Sequence, residues 1–248
     1  MTDRELEGRA ADFWAETDLA DAYPRSIEQA IALQLPVTVV KLPVVTVQAV
    51  GRWLRCHHDT PHFPPYRRDL MGCLYAACGH GFIFVCGADE PEEQRFTLAH
   101  DTAHFLVDYW WPRLRVIQAL GTSITDVLDG RRRASIAERA SAILAKVRVG
   151  PHYHLLPRQN GEGDIHIACV EDRADELGLE LVAPRTLVVK MMRAMPAKVR
   201  ADTQAACGAL GNFFGLPAYV FGPLVSALHR TQSPSFLDDA LRLLGREA

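Results

Sequence analysis

The sequence predicts an α+β fold, in which a small early β-sheet packs on a helical core and the C-terminal part is helical. Two observations predict it. The segments typical of β-strands, residues 35–43 and 70–87, lie in the first half of the chain. Most of the remainder has apolar residues at helical spacing, interrupted by prolines and glycines. Early strands followed by a run of helices are typical of the α+β class.

The bulk composition is that of an ordinary globular protein. The chain has 248 residues, of which 48% are hydrophobic and 23% charged, and its net charge is -3. This balance does not indicate a nucleic acid or an anionic membrane as partner, and no run approaches the roughly 18 apolar residues of a membrane span. The six cysteines form no C-x-x-C pair and the N-terminus is polar. We therefore expect a cytoplasmic protein with reduced thiols.

The first elements are short. Apolar periodicity predicts helices over residues 5–21 and 25–34. The β-branched stretch "LPVTVVKLP" predicts a strand over 35–43, and a helix over 45–54 follows. The proline-dense stretch "CHHDTPHFPPYRRD" is then predicted to be a loop.

The middle of the chain predicts a hairpin and a long helix. Two apolar runs within 70–87 are joined by Cys78-Gly79-His80-Gly81, a glycine-containing turn typical of a β-hairpin. The helix is predicted over 91–109. Pro91 suits its first turn, and Trp111-Pro112 is predicted to end it.

The remainder is predicted to be mostly helical. Residues 113–150 show two S-x-x-[DE] capping boxes, Ser123 with Asp126 and Ser135 with Glu138. Residues 150–164 are predicted to be a loop. The next helix ends at Pro184, and helices continue to the C-terminus.

Two similar pentapeptides place histidines four residues apart, "HDTAH" at 100–104 and "HDTPH" at 58–62. On an α-helix, such residues share one face and can converge on one metal ion. His100 and His104 lie in a strongly predicted helix. Pro61 disfavours a helix at the other pair, where surface histidines are the simpler interpretation and a loop metal site with Cys56 and His57 the alternative. A catalytic zinc requires a third protein ligand.

The stretch "RFTLAHDTAHFLV" resembles the zinc-binding helix of the ImmA/IrrE metallopeptidase family, whose usual form is RFTLAHELGHFLL. A second stretch, "EDRADELGLELVAP", is similar to the family's E-x-x-A-N-x-x-A-x-x-L-L-M-P helix, whose leading Glu binds zinc. The resemblance implies that His100, His104 and Glu171 hold Zn²⁺. It also implies a bacterial enzyme that cleaves transcriptional repressors with a metal-bound water.

Two residues depart from the family pattern. Asp101 stands in place of the Glu that serves as general base, and its side chain falls about 1–1.5 Å short, a misplacement that can cost on the order of 10²-fold in rate. Asp175 stands where the family tends to have Asn. It is either a carboxylate that orients a ligand imidazole or a solvent-facing helix residue.

The segment between the two motifs is longer than the family usually shows, with 66 residues between His104 and Glu171. We interpret about 113–160 as a helical insertion into a metallopeptidase-like domain of residues 1–184. Residues 185–248 are interpreted as a helical extension packed on that domain. Within the insertion, His152 and His154 either stabilise an oxyanion, add a ligand or have no role.

Three functional hypotheses follow. The first is a zinc-dependent metallopeptidase of ImmA/IrrE type that acts on a specific protein or peptide, such as a repressor. The second keeps the zinc but serves a small-molecule reaction or acts as a sensor, because Asp101 replaces the usual Glu. The third is an interaction protein whose histidines bind nothing. Direct nucleic-acid binding is not expected, because "PAYVFGPLVSAL", the helix that could read DNA, lacks Arg, Lys, Asn and Gln.

Overall fold

The computed structural model describes the chain except for short gaps and the C-terminal segment. The residues described are 3–15, 17–19, 22–57, 61, 63, 69–139, 147, 149–158 and 165–232, without the side chains of 3, 165–173 and 230–232. The pair His58 and His62 lies outside them. The predicted α+β class is confirmed. Contacts divide the chain into two compact units, Met1–Pro184 and Arg185–Ala248; that the second is an extension packed on the first stays a prediction.

The first unit contains a four-stranded mixed sheet in the order β1-β3-β2-β4. Its strands are β1 (Val37–Leu42), β2 (Leu70–Ala77), β3 (His80–Cys86) and β4 (His152–Pro157). β1 runs parallel to β3, whereas β2 is antiparallel to both β3 and β4. The strand predicted over 35–43 and the hairpin predicted over 70–87 are therefore confirmed.

One face of the sheet is apolar and is covered by α3 (Val47–Cys56). Alternate strand positions project to this face, because side chains of a strand alternate between its two sides. The cluster that results is closed to solvent. Its fully buried members include Val50 and Leu54 of α3, Cys73 and Tyr75 of β2, and Phe84 of β3.

The opposite face carries α4 (Pro91–His104), which begins at Pro91 as predicted. A π-helical segment, Phe105–Trp110, follows at once and leads into α5 (Trp111–Leu120). The prediction that Trp111-Pro112 ends the helix is wrong. Pro112 lies in the first turn of α5, directly after the π-helical segment, where the Trp111 N–H donates to the Leu106 carbonyl. The helical run therefore leaves its regular i→i−4 bonding just before the proline and continues past it.

The loop predicted over 150–164 is wrong for residues 152–157, which form β4 along the free side of β2. The insertion predicted to be helical therefore also contributes a strand. Its helical parts include α5, a 3₁₀ turn and α6 (Thr125–Leu128). The capping box of Ser135 and Glu138 is confirmed by reciprocal hydrogen bonds of 2.8 and 3.2 Å.

Two further helices complete the environment of α4. α7 (Ile165–Val182) crosses α4 closely at Gly178, where an added Cβ would lie 3.1 Å from the Ala99 carbonyl oxygen and from the His100 Cα. α1 (Asp3–Ala15) is anchored to α7, because the Trp14 indole donates a 2.8 Å hydrogen bond to the Leu181 carbonyl. α1 ends before the predicted limit of 21. α2 (Ile27–Gln34) matches its prediction.

The second unit is helical as far as the structure describes it, to residue 232. Its helices are α8 (Arg185–Ala194), α9 (Ala197–Ala201), α10 (Thr203–Phe214) and α11 (Gly222–Gln232). α10 is capped by Asp202, whose carboxylate accepts hydrogen bonds from two backbone N–H groups of the first turn. Within the described segments no single helix is long and apolar enough to span a membrane, although the bent pair Thr203–Phe214 and Ala218–His229 passes by length and composition.

Candidate metal centre

The C-terminal turns of α4 carry a group of buried polar side chains. His100, Asp101 and His104 are 3%, 0% and 1% exposed. Because His100 and His104 are four residues apart on a regular helix, their imidazoles lie on the same face, with ring centroids 4.7 Å apart. The predicted helical geometry of this pair is confirmed.

The third member of the cluster comes from β4. His154 pairs with Leu74 in the β2–β4 register, whereas its neighbour Leu155 packs on the apolar cluster of the other face. Strand alternation therefore directs the His154 ring toward α4. Its ring stacks on that of His104 at 3.6 Å and lies 5.2 Å from that of His100.

Each of the three histidines is hydrogen-bonded through Nδ1 to a different carboxylate. His100 contacts Asp175 of α7 at 2.7 Å, and His104 contacts Asp108 of the π-helical segment at 2.7 Å. His154 contacts Asp101 of α4 at 3.3 Å. An ionised carboxylate only accepts hydrogen bonds, so Nδ1 carries the hydrogen in each pair and a neutral ring keeps its lone pair on Nε2.

The Nε2 atoms of all three rings are buried, and those of His100 and His104 have no hydrogen-bond partner in the structure. A buried polar atom without a partner costs about 1–3 kcal/mol, so such atoms require an explanation. One ligand atom from each histidine lies within 4.8 Å of the others. The cluster of His100, His104 and His154 is therefore close enough to hold a metal ion.

The donor set fits a metal that prefers nitrogen. Neutral imidazoles suit zinc and other late divalent metals, whereas magnesium and calcium prefer oxygen. Three nitrogens at about 2.0–2.1 Å from a tetrahedral zinc would lie about 3.3 Å from one another. A carboxylate on Nδ1 is also the usual partner of a metal-binding histidine, because it sets the tautomer and raises the basicity of Nε2.

The surroundings of His104 favour the neutral form of its imidazole. Burial lowers the pKa of His104, and the neighbouring His154 and His100 lower it further, against the opposing effect of the Asp108 carboxylate. Burial also raises the pKa of the Cys73 thiol well above its usual range, and the nearby Asp101 charge adds to this. Deprotonated imidazoles are the form that binds a metal.

Asp101 lies between α4 and β2. Its Oδ1 is the atom that contacts His154. Its Oδ2 faces Gly72 of β2, where an added Cβ would lie 2.7 Å from that oxygen and 2.3 Å from Thr97 Cγ2. Gly72 therefore provides the space in which the Asp101 carboxylate is held.

The structure brings together only part of the predicted site. His100 and His104 lie together with Asp101 beside them, and Asp175 contacts His100 rather than solvent alone, although its side chain is 53% exposed. The side chain of Glu171 lies outside those described, so its role as third ligand stays a prediction. For His154 the sequence leaves three roles open, namely an oxyanion stabiliser, an added ligand or a residue without a role. The structure brings its ring to His100 and His104.

Asp108 was missed by the sequence analysis. The only sequence signal for it is its spacing, four residues after His104 on the same helical run. For His154 the signal is the alternation in "HYH", which places two histidines on one side of an extended segment.

No protein-family model matches the chain, and no curated protein matches it. The class of protein is therefore defined by fold and site alone. It is an α+β protein with a buried cluster of three histidines that can hold a metal ion. The resemblance to ImmA/IrrE metallopeptidases, and the enzyme class that it implies, stay predictions.

Proposed function

We propose that the protein is a zinc-dependent hydrolase whose metal is held by His100, His104 and His154. The observation that supports this proposal most strongly is that each histidine of the cluster is paired with its own carboxylate. One ring nitrogen from each of the three imidazoles lies within 4.8 Å of the others, the Nε2 atoms are buried, and each Nδ1 contacts a carboxylate. A folded protein that only needed a stable core would not gather these groups, because each costs free energy to bury.

Three protein ligands are the number typical of a catalytic zinc, which keeps one position for water or substrate. A zinc ion so held lowers the pKa of bound water to about 7 and polarises a carbonyl group. The residues of the chain hold the metal, fix the orientation of the imidazoles and exclude bulk water from the site. If Glu171 also binds, as the resemblance implies, the fourth position is closed and a structural role is favoured instead.

A protein or peptide is the substrate class that the geometry supports best. β4 carries His154 and lies at the edge of the sheet among the described strands. An edge strand offers backbone N–H and C=O groups to which an extended peptide can add as a further strand. A peptide bound there would pass beside the metal site. The resemblance adds a transcriptional repressor as the expected protein substrate.

The test is metal-dependent cleavage by the purified protein. Zinc-loaded protein is incubated with candidate repressors and with a peptide library, and new N-termini are identified by mass spectrometry. We expect cleavage that disappears with a chelator and in His104→Ala, and that persists in His57→Ala, an exposed histidine of another element. A protein that binds one zinc but cleaves no peptide excludes the peptidase.

The burial of the site favours one alternative. His100 and His104 are almost fully buried and His154 has a side chain that is 14% exposed. A site with such limited access would also suit a small-molecule substrate. A zinc enzyme for a small substrate, or a zinc-binding sensor, is therefore the second candidate. Metal-dependent turnover of small esters or amides without peptide cleavage would favour it.

We also place the protein in the cytoplasm. The described cysteines Cys56, Cys73, Cys78, Cys86 and Cys207 are all free thiols. Proteins of oxidising compartments usually pair their cysteines, so free thiols support a reducing environment. Fractionation of cells that express a tagged chain tests this assignment.

A further inference from the structure

We propose that Asp101 is the positioning residue of His154, and not the proton acceptor that the resemblance to HExxH peptidases assigns to this place in the motif. The inference rests on the proposed metal centre and deepens it. On this account HDTAH is not a weakened HExxH motif. It is a helix that supplies two ligands and the carboxylate that holds the third.

Oδ1 of Asp101 lies behind the His154 ring, 3.3 Å from its Nδ1. In an imidazole, Nδ1 and Nε2 point away from each other, so a group bonded to Nδ1 lies behind the ring as seen from the metal. Oδ1 is thus placed to orient the ring and not to contact a metal-bound water.

Oδ2 of Asp101 is buried without a hydrogen-bond partner and faces the backbone of β2 at Gly72. The space there is tight, because even a single added Cβ on Gly72 would clash with Thr97 and with Oδ2 itself. A proton acceptor must come within about 2.6–3.2 Å of the water from which it takes a proton. Oδ2 is directed at the sheet.

The other two histidines of the cluster also have a carboxylate on Nδ1. Asp175 holds His100 and Asp108 holds His104, each at 2.7 Å through Nδ1. With Asp101 on His154, the site has one carboxylate for each imidazole. The 3.3 Å contact of Asp101 with His154 is the longest of the three. A Glu at 101 would have one more methylene to fit into the same narrow space.

The first experiment measures zinc affinity. Metal-free wild type, Asp101→Asn and Asp101→Glu are titrated with zinc against a chromogenic chelator. Loss of a carboxylate behind a ligand histidine typically weakens metal binding 10–100-fold, so we expect that loss for Asp101→Asn. We expect weaker binding for Asp101→Glu as well. Asp175→Asn is the positive control, and the exposed Asp126→Asn is the matched control without effect.

Unchanged zinc affinity in Asp101→Asn, with weakened binding in Asp175→Asn, would overturn the inference. So would an Asp101→Glu variant that binds zinc as wild type does and gains hydrolytic activity. If wild type binds no zinc, the proposed function fails. The inference about Asp101 is then decided by the second experiment, which needs no metal.

The second experiment is ¹⁵N NMR of the histidine rings in the metal-free protein. Because Asp101 accepts from Nδ1, we expect the His154 ring of wild type in the tautomer with hydrogen on Nδ1. Asp101→Asn should shift the ring toward the other tautomer, while His100 keeps its tautomer. A merely structural role of Asp101 would leave the tautomer unchanged. A wild-type His154 with hydrogen on Nε2 would overturn the inference even if the variant failed to fold.

Discussion

The same strands present an apolar surface on one face of the sheet and support a group of buried polar side chains on the other. On the α3 face, β2 and β3 contribute large apolar side chains such as Tyr75 and Phe84 to a cluster of buried hydrophobic residues. On the α4 face, β2 has Gly72 and β3 has Gly81, both without a side chain. An added Cβ on Gly81 would lie 2.8 Å from the Phe105 ring.

The two faces differ in what they contribute to stability and to the candidate site. The α3 face gains free energy from apolar burial, at roughly 25 cal/mol per Å². The α4 face brings a helix close enough to bury His100, Asp101 and His104. Polar burial of this kind reduces stability unless a partner compensates for it. A metal ion would be that partner, and its binding would add to the stability of the folded state.

The largest effect is expected from truncation on the apolar face. Phe84 is fully buried, so Phe84→Ala should lower the free energy of unfolding by about 3–5 kcal/mol in urea denaturation. Zinc affinity of the remaining folded protein should stay at the wild-type value. Phe213→Ala, at a phenylalanine that is 41% exposed, is the control and should change stability by about 0.5 kcal/mol or less. A decrease in the free energy of unfolding below about 1 kcal/mol for Phe84→Ala would contradict the conclusion that apolar burial on the α3 face stabilises the fold.

The next effect is zinc-dependent stabilisation through the polar face. At zinc concentrations about 100 times Kd, the metal should stabilise the wild type by about 2.7 kcal/mol. For a protein of this size that corresponds to a rise in Tm of roughly 5–10 °C. His104→Ala should show no such rise, whereas His80→Ala, outside the cluster, should retain it. Equal shifts in wild type and His104→Ala, measured by calorimetry, would exclude the cluster as the origin.

A smaller effect is expected from filling the space that Gly72 leaves. Gly72→Ala introduces a Cβ against Thr97 and the Asp101 carboxylate, and overpacking of this kind costs about 1–3 kcal/mol. Zinc affinity should fall too, because the carboxylate behind His154 moves. Gly208→Ala is the matched control. Its Cβ would meet nothing within 4 Å in α10, so it should raise stability by up to about 1 kcal/mol. Unchanged zinc affinity in Gly72→Ala would show that the space at Gly72 does not determine the position of the Asp101 carboxylate.

The smallest effect lies outside both faces, at the capping box. Arg132 and the Ser135 N–H and hydroxyl lower the pKa of Glu138 to about 2. A depressed pKa stabilises the folded state above the ordinary value near 4.5, and this contribution is lost as the pH falls through about 2. Arg132→Ala should move the Glu138 pKa up toward its ordinary value in a ¹³C NMR titration. A Glu138 pKa that stays near 2 without Arg132 would show that the backbone cap alone sets it.

The sequence predicted the parts of the fold whose signals are local. The hairpin follows from two apolar runs around a glycine turn, and α4 from its periodicity and Pro91. β4 was not predicted, because its six residues are partly polar, end in Pro157 and follow Gly150 and Pro151. It is a strand because the edge of β2 offers it hydrogen bonds. That edge is a property of the assembled sheet.

In the candidate site, too, the sequence predicted the residues that are close to one another along the chain and not those that are distant. Spacing on one helix identified His100 and His104, because both lie within one turn. Asp108 shares their helical run, yet its contact with His104 follows the π-helical segment that the sequence did not predict. His154 reaches the cluster only through the β2–β4 register, and Asp175 only because Gly178 allows α7 to approach α4. Contacts between segments distant in sequence leave no local pattern.

The most direct test of the metal centre is to measure the zinc stoichiometry and affinity of the wild type and of three single-substitution variants. Wild type should bind one equivalent of zinc, His154→Ala should lose tight binding, and His152→Ala, on the same strand but outside the cluster, should bind as wild type does. Glu171→Gln should keep its zinc if three histidines are the ligands. Wild-type affinity in His154→Ala, together with loss of zinc in Glu171→Gln, would contradict the account and favour the ligand set that the family resemblance implies.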